Sequence, residues 1–316
     1  MVRFVALPDW ADFFPDDARY AAFMDAVAAA VERSPLALEV EAGYLRVLVE
    51  GDERGGQHTI GLKSLAQRWQ SLAGEAEGER GRALLDDHLR AAAEQLARDP
   101  ELEAELDDLE RARSRLRLRL YNERAAVALA SGLVQRRLTR GLFAALVFDL
   151  PRSIRPVEPA RFASWDVDLD SLWDQARAQT LALPATVEPT RLFERLECVA
   201  ITGDSLLTST RMLGLDAILG NLGPLGALAV APTHHVVLAH ALGPGSDRNL
   251  AIPVLQQAAA RLYEQGPGSL TPELHWVRGT TIEHVRTSRD EHGRLVVGAS
   301  PEFMAEVLGV TEPATG

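Results

Sequence analysis

The chain has one cysteine, one lysine and no uninterrupted apolar run long enough to cross a membrane. With Cys198 alone, no internal disulfide can form and no cysteine cluster can hold a metal. Cys198 lies in an apolar stretch, where a thiol is packed and inert; a nucleophilic thiolate needs an accessible, electropositive setting. Lys63 is the sole lysine, so arginine carries nearly all positive charge and a single Arg is a weak functional signal. At a net charge of -12 the chain also lacks the basic excess of a nucleic-acid surface, whose binding depends on clustered cations and counterion release. The opening residues MVRFVALPDWADFF turn acidic before any apolar core segment develops, unlike a secretory leader. Residues 213–242 are apolar on average but broken by Asp216, Asn221, Pro224 and the Pro232-Thr233-His234-His235 turn, so no span of about 18 residues survives. A cytoplasmic protein is expected, with no nucleic-acid partner and no membrane insertion.

The 316 residues exceed the usual size of one domain, and two α+β lobes are expected, 1–184 and 190–316, joined across Pro184 to Pro189. Tyr20, Phe23, Met24, Val27 and Val31 recur at three and four, one apolar face of a helix led by Asp16 and Asp17. LALEV and LRVLVE read as a hairpin turning at Gly43, followed after Gly55-Gly56 by the short strand HTIGL and a helix from Leu62 through Trp69.

Residues 75–113 carry 13 acidic residues against six arginines. Leu84, Leu85, His88, Leu89, Ala92 and Leu96 form one stripe and Leu102, Leu106, Leu109 and Ala112 another. Asp99-Pro100, a good cap followed by a good first helical residue, separates them. The pattern predicts a helical hairpin inserted in the first lobe, an accessory arm whose stripes satisfy each other.

Arg115 to Tyr121 then alternates at period two, with Leu116, Leu118 and Leu120 on one face and Arg115, Arg117 and Arg119 on the other. Such a cationic face either binds an anion or pairs with acidic neighbours. GLFAALVFDLP predicts a buried strand with RSIRPV as its partner, and Asp168 or Asp170 caps the helix DSLWDQARAQTLALP. From Leu192 to His240 the apolar patterning is strongest: an amphipathic strand RLFERLECVAIT, a helix capped by Asp204 or Ser205, and two strands in LGALAVAPTHHVVLAHAL. Leu116, Leu118, Leu120, Val147, Val199, Ile201, Val230 and Val237 are expected in the core.

YLRVLVEG with HTIGLKSLAQRW, FAALVFDLPRSIRPV with DSLWDQARAQTLALP, and GDSLLTSTRML with GALAVAPTHHVVLAHAL together resemble the YtpQ-like bacterial proteins, domain of unknown function 1444. The resemblance touches both halves of the chain and implies a cytoplasmic bacterial α+β protein. It carries no catalytic residue, cofactor or substrate. The acidic hairpin and the extension beyond about Val285 depart from it.

Ser205 beside Asp204, with His234 or His235, supplies the residue types of a serine hydrolase, yet there is no G-x-S-x-G elbow and Ser205 is explained by capping. His234 and His240 share a strand parity but lie about 20 Å apart if extended, too far to hold one ion together. GPLGA and GPGSDR match neither a P-loop nor a dinucleotide turn, so neither a metal nor a cofactor is expected. The residues that remain as binding candidates are Asp204, Ser205, His234, His235, Arg115, Arg117 and Arg119. The missing catalytic constellation and the charged insertion favour a non-catalytic protein-binding module of adaptor, chaperone-like or immunity type with a protein partner; an enzyme, of hydrolase type, whose site is assembled from sequence-distant residues is the alternative.

Overall fold

The computed structural model describes residues 11, 14–41, 44–47, 58–72, 78–96, 100–151, 153–220, 222–266, 268–292 and 294–310. Trp10, the Gly43 turn, the Gly55-Gly56 loop and Asp99 lie outside them. The fold is α+β, and all pairings between the described strands are antiparallel. It divides into two compact units, one running to Glu103 and including Gln265–Gly268, the other comprising Ala104–Glu264 and the chain from Ser269.

In the first unit, Asp16 Oδ1 accepts a 2.8 Å hydrogen bond from Arg19 N and starts α1 (Asp17–Arg33). Strands β1 (Leu38–Glu41), β2 (Tyr44–Val47) and β3 (His58–Gly61) form a sheet in that order, followed by α2 (Lys63–Ser71) and α3 (Glu79–Leu96). Phe23 and Val27 of α1, Leu45 of β2, Leu65 and Trp69 of α2, and Leu85 and Leu89 of α3 close one apolar cluster. An exposed Arg33–Asp86 pair at 2.7 Å also links α1 to α3.

This placement corrects the accessory arm expected over 75–113. Leu85 and Leu89 of the first stripe are core of the first unit, with Leu84 packed against them, whereas α4 (Pro100–Asp107) and α5 (Leu109–Ala112) bury Leu106 and Ala112 in the second. A stripe of four apolar positions states that a helix has a partner without naming it, and the nearest stripe in sequence is not that partner.

The second unit contains two sheets. Strand β4 (Leu116–Asn122) leads through α6 (Glu123–Ala128) to β5 (Gln135–Thr139), β6 (Leu142–Leu150) and β7 (Ser153–Pro156). β6 is flanked by β4 on one side and by β5, then β7, on the other. After α7 (Pro159–Ser164), Asp168 Oδ2 accepts from Ser171 N at 2.8 Å and caps α8 (Leu169–Leu181). Next come β8 (Thr186–Leu192), β9 (Leu196–Thr202), a 3₁₀ turn over Thr208–Gly214, α9 (Leu215–Leu219), β10 (Ala227–Thr233) and β11 (Val236–Ala241). Helix α10 (Arg248–Gln265), β12 (Leu274–Arg278), β13 (Thr281–Arg289), β14 (Leu295–Gly298) and α11 (Pro301–Glu306) complete the order.

The larger sheet runs β14-β13-β12-β10-β11-β9-β8. Leu228, Val230, Leu238, Leu274, Trp276 and Val285 pack with Leu255 and Ala258 of α10 and Phe303 of α11 in one cluster.

The boundary expected at Pro184 to Pro189 is therefore replaced by a strand. β8 is an outer strand, where the missing N–H of Pro189 deprives no neighbour of a ladder bond, so a proline reads as a linker in sequence and sits in a sheet. Phe193 and Glu194, both at positive φ, turn β8 into β9, so RLFERLECVAIT is the end of one strand, a turn and a second strand. Of the eight expected core residues, seven are buried and Val199 is half-buried.

Two changes test this packing. Leu85→Ala should destabilise the protein by about 2 to 5 kcal/mol in urea titrations, because it opens a cavity in the first unit's core. Gly226→Ala should lower the melting temperature clearly: the residue holds φ +64°, and a Cβ there would lie 2.1 Å from Val277 O.

Candidate functional site

Between β9 and the 3₁₀ turn, the loop at Gly203 meets the β10–β11 turn. Gly203 N donates to His235 O at 3.2 Å, and His235 Nδ1 donates to Gly203 O at 3.1 Å, which assigns the proton to Nδ1 because a carbonyl only accepts. His234 O accepts from Ser209 N at 2.9 Å. Asp204, Ser205, His234 and His235 are thus brought into one neighbourhood, as polar supports of a chain crossing.

Ser205 does not begin a long helix. Its Oγ accepts from Leu207 N at 3.1 Å and its carbonyl accepts from Thr208 Oγ1 at 2.8 Å. Short hydroxyl side chains that bond the nearby backbone compete with α-helix, and here the result is a local turn followed by 3₁₀ structure. Ser205 Oγ bonds to neither histidine, so a nucleophile–base pair is not assembled.

Thr208, Ser209, Thr210 and Arg211 are all buried. Thr210 Oγ1 donates to Leu118 O at 3.1 Å, and Leu118 N donates to Thr180 Oγ1 of α8 at 2.8 Å. Both polar groups on the outward edge of β4 are thereby satisfied by side chains. Gly214 lies close under α8: a Cβ there would stand 2.4 Å from Leu181 Cδ1 and would push that side chain aside. Burial lowers the pKa of Arg211, which has no ion pair among the described residues.

The three arginines of β4 diverge in role. Arg115 Nε bonds Glu105 Oε1 at 2.7 Å, and Arg117 Nη1 bonds Gln179 Oε1 at 3.0 Å while its Nε faces Asp149 at 3.7 Å. Arg119 stacks on the Tyr121 ring at 5.1 Å and has no ion pair among the described residues. Its charge, after burial and ahead of His235, helps hold His234 well below the ordinary histidine pKa. Arg119 Nε, Ser209 Oγ and His234 Nδ1 are sealed from solvent without a hydrogen-bond partner among the described residues.

Two further groups are silenced by burial. The Cys198 thiol is pushed up to about 11, so it stays protonated at neutral pH. His275 is wholly buried in β12, and its pKa is brought down to about 3 by burial, then by His284 beside it, with the Glu273 backbone counteracting in part. His284 Nε2 in turn meets Glu273 Oε2 at 2.8 Å. Among the described residues no group of three His, Cys, Asp or Glu side chains is placed to share a metal ion.

A concave surface exists elsewhere in the second unit. A groove of about 690 Å³ runs along α10 beside the β13–β14 hairpin. Leu250, Pro253, Val254 and Leu295 give it an apolar floor, and Gln256, Gln257, Ser288, Arg195, Arg289 and Glu273 supply polar walls. None of these residues forms a motif in sequence: the groove is assembled from the β8–β9 turn, α10, the approach to β12, and β13–β14.

No family model matches the chain, and no solved structure matches it. The trehalose-phosphate phosphatase of Mycobacterium avium (strain 104) is 30% identical over 158 residues, covering 49% of this chain and 35% of that protein. The chain thus spans about a third of the length of the curated relative it matches. No helix among the described residues is long and apolar enough to cross a membrane.

The hydrogen-bond pattern separates two adjacent hydroxyls. Thr210→Val should cost about 1 to 3 kcal/mol by leaving Leu118 O unpaired in the interior, whereas Ser209→Ala should fall within about 0.5 kcal/mol of the parent in the same denaturation assay.

The histidines set an acid limit. The folded pKa of His275 and of His234 lies below the unfolded value of about 6.5, so between those values the unfolded chain binds the extra proton and stability falls as pH falls. Each contributes a slope of up to about 1.4 kcal/mol per pH unit below pH 6.5. Urea titrations between neutral pH and pH 5 should show the loss, and His275→Phe should flatten it.

Proposed function

We propose that the chain is a cytoplasmic, non-catalytic protein-binding module of adaptor, chaperone-like or immunity type, in keeping with its resemblance to the YtpQ-like proteins. The observation that carries this reading is the groove beside α10 and the β13–β14 hairpin, open to solvent, apolar in its floor and polar at its walls. Such a surface suits a macromolecular segment, since a short apolar stretch supplies burial and the rim supplies orientation. The residue types that suggested catalysis are engaged differently: Ser205 holds a local turn, His235 bonds across to Gly203, and Cys198 is buried.

A second reading, an enzyme of hydrolase type with a site assembled from distant residues, is favoured by the match to the trehalose-phosphate phosphatase. The two readings separate in one pair of measurements. With a photo-crosslinking amino acid at Ser288, in the groove wall, irradiation in the native host should give one discrete protein adduct, absent when the probe stands at Glu188 on the opposite sheet edge. The purified chain should release no phosphate from trehalose phosphate with or without divalent cations. Phosphate release lost with His234→Ala, in the absence of a Ser288 adduct, would establish the enzyme instead.

A further inference from the structure

The outer strand β14 borders the groove, and its hydrogen-bonding phase can be read directly. Asp290 N donates to Arg294 O at 3.0 Å, which makes this a bonded position of the ladder, while Arg294 N turns to Asp290 Oδ1 at 2.9 Å. Along an antiparallel ladder the bonded pairs alternate, which makes Ser288/Val296 and Arg286/Gly298 the bonded pairs and leaves Arg289/Leu295 and Thr287/Val297 as non-bonded ones. The N–H and C=O groups of Leu295 and Val297 therefore point away from β13, and no strand pairs with that edge among the described residues. The side chains of the same two residues pack toward the α10 cluster, and Leu295 forms part of the groove floor. Free main-chain groups and a side-chain groove thus share one strand.

The groove's charge is opposite in sign to that of the chain. Arg195 and Arg289 stand in its wall against one carboxylate, Glu273, which meets His284 at 2.8 Å; Arg195 has no ion pair among the described residues, whereas Arg289 is already engaged. In a protein of net charge -12, this is a local cationic setting. A volume of about 690 Å³ accommodates a short segment of extended chain. Outer strands in natural sheets are usually blunted by a proline, a bulge or an inward charge; β8 carries Pro189, whereas β14, Leu-Val-Val-Gly, carries none of these.

We propose that β14 accepts an extended segment of a partner protein as an added strand, its alternate apolar side chains entering the α10 groove and a carboxylate meeting Arg195. The inference rests on the protein-binding reading above and names the chemistry of the partner: an acidic, alternating apolar segment. Main-chain pairing with Leu295 and Val297 supplies affinity, and the groove selects the side chains.

The test uses the full-length protein and a fluorescein-labelled blocked peptide of alternating valine and glutamate, read by fluorescence anisotropy. Saturable binding is expected, weakening as salt rises. Arg195→Glu should weaken it about tenfold or more, as should replacing glutamate by lysine in the probe. Val297→Pro removes an outward N–H while sparing the β13 ladder and should have a similar effect. Because that change can also disturb the strand, a peptide N-methylated at alternate amides interrogates the same hydrogen bonds with the protein unaltered, and it should not bind. No binding by the valine–glutamate probe, or equal binding by its N-methylated form, would overturn strand addition. A dimer in sedimentation experiments that Val297→Pro dissociates would overturn it as well, by giving the edge to a second copy. A Ser288 crosslink without probe binding leaves the protein-binding function standing and removes only this mode; loss of both removes the function too.

Discussion

Everything in the second unit leans on a buried polar turn. Thr208–Gly214 has no apolar face of the usual kind, yet it lies against β4, α8 and the larger sheet at once, and all seven of its residues are buried. Taking hydroxyls out of water is tolerable only when they find partners, and Thr208 and Thr210 find them in backbone carbonyls. The outcome is that Leu118 on the outer edge of β4, a position that would otherwise invite another strand, is closed from within the chain by Thr180 and Thr210. Arg177 adds a third tie, donating from Nε to Leu213 O at 3.0 Å.

Regular periodicity made part of this fold legible from sequence. The two-residue alternation of 116–120 and the apolar run of 142–150 became β4 and β6, and Asp16 and Asp168 cap the helices they precede. The misreadings share a cause: each concerned which surface an element meets. Leu85 and Leu89 serve the first unit's core and Leu106 is buried in the second, Pro189 occupies an outer strand, and the hydroxyl-rich 205–210 segment looked like a capped helix because Ser205 does make a cap-like bond to Leu207 N. Arg115, Arg117 and Arg119 were indistinguishable in sequence and became three different things, since partner carboxylates come from 105 and 149. The groove left no trace, because its walls are drawn from four separate stretches of chain.

The distribution of chemically able side chains is uneven in a way that bears on function. His234, His275 and Cys198 all experience desolvation that suppresses their charged forms. These groups are thereby kept neutral at neutral pH, while Arg195 and Arg289 line the groove beside α10. A protein organised in this manner presents its polarity at edges and grooves, where encounter with another chain is decided.

The strand order of the larger sheet has a kinetic corollary. β8 with β9, β10 with β11, and β12 with β13 and β14 are hairpins between neighbours in sequence, each closing a short loop. The seam between β10 and β12 is different, because Val230 meets Leu274 only after the whole of α10 has been threaded between them. Loop-closure entropy makes such a contact late, so the hairpins should gather before the sheet becomes continuous. On a ribosome, the half of the sheet that ends at β10 would wait with that edge uncovered until α10 and β12 emerge, a window in which a nascent chain is most in need of protection from its neighbours.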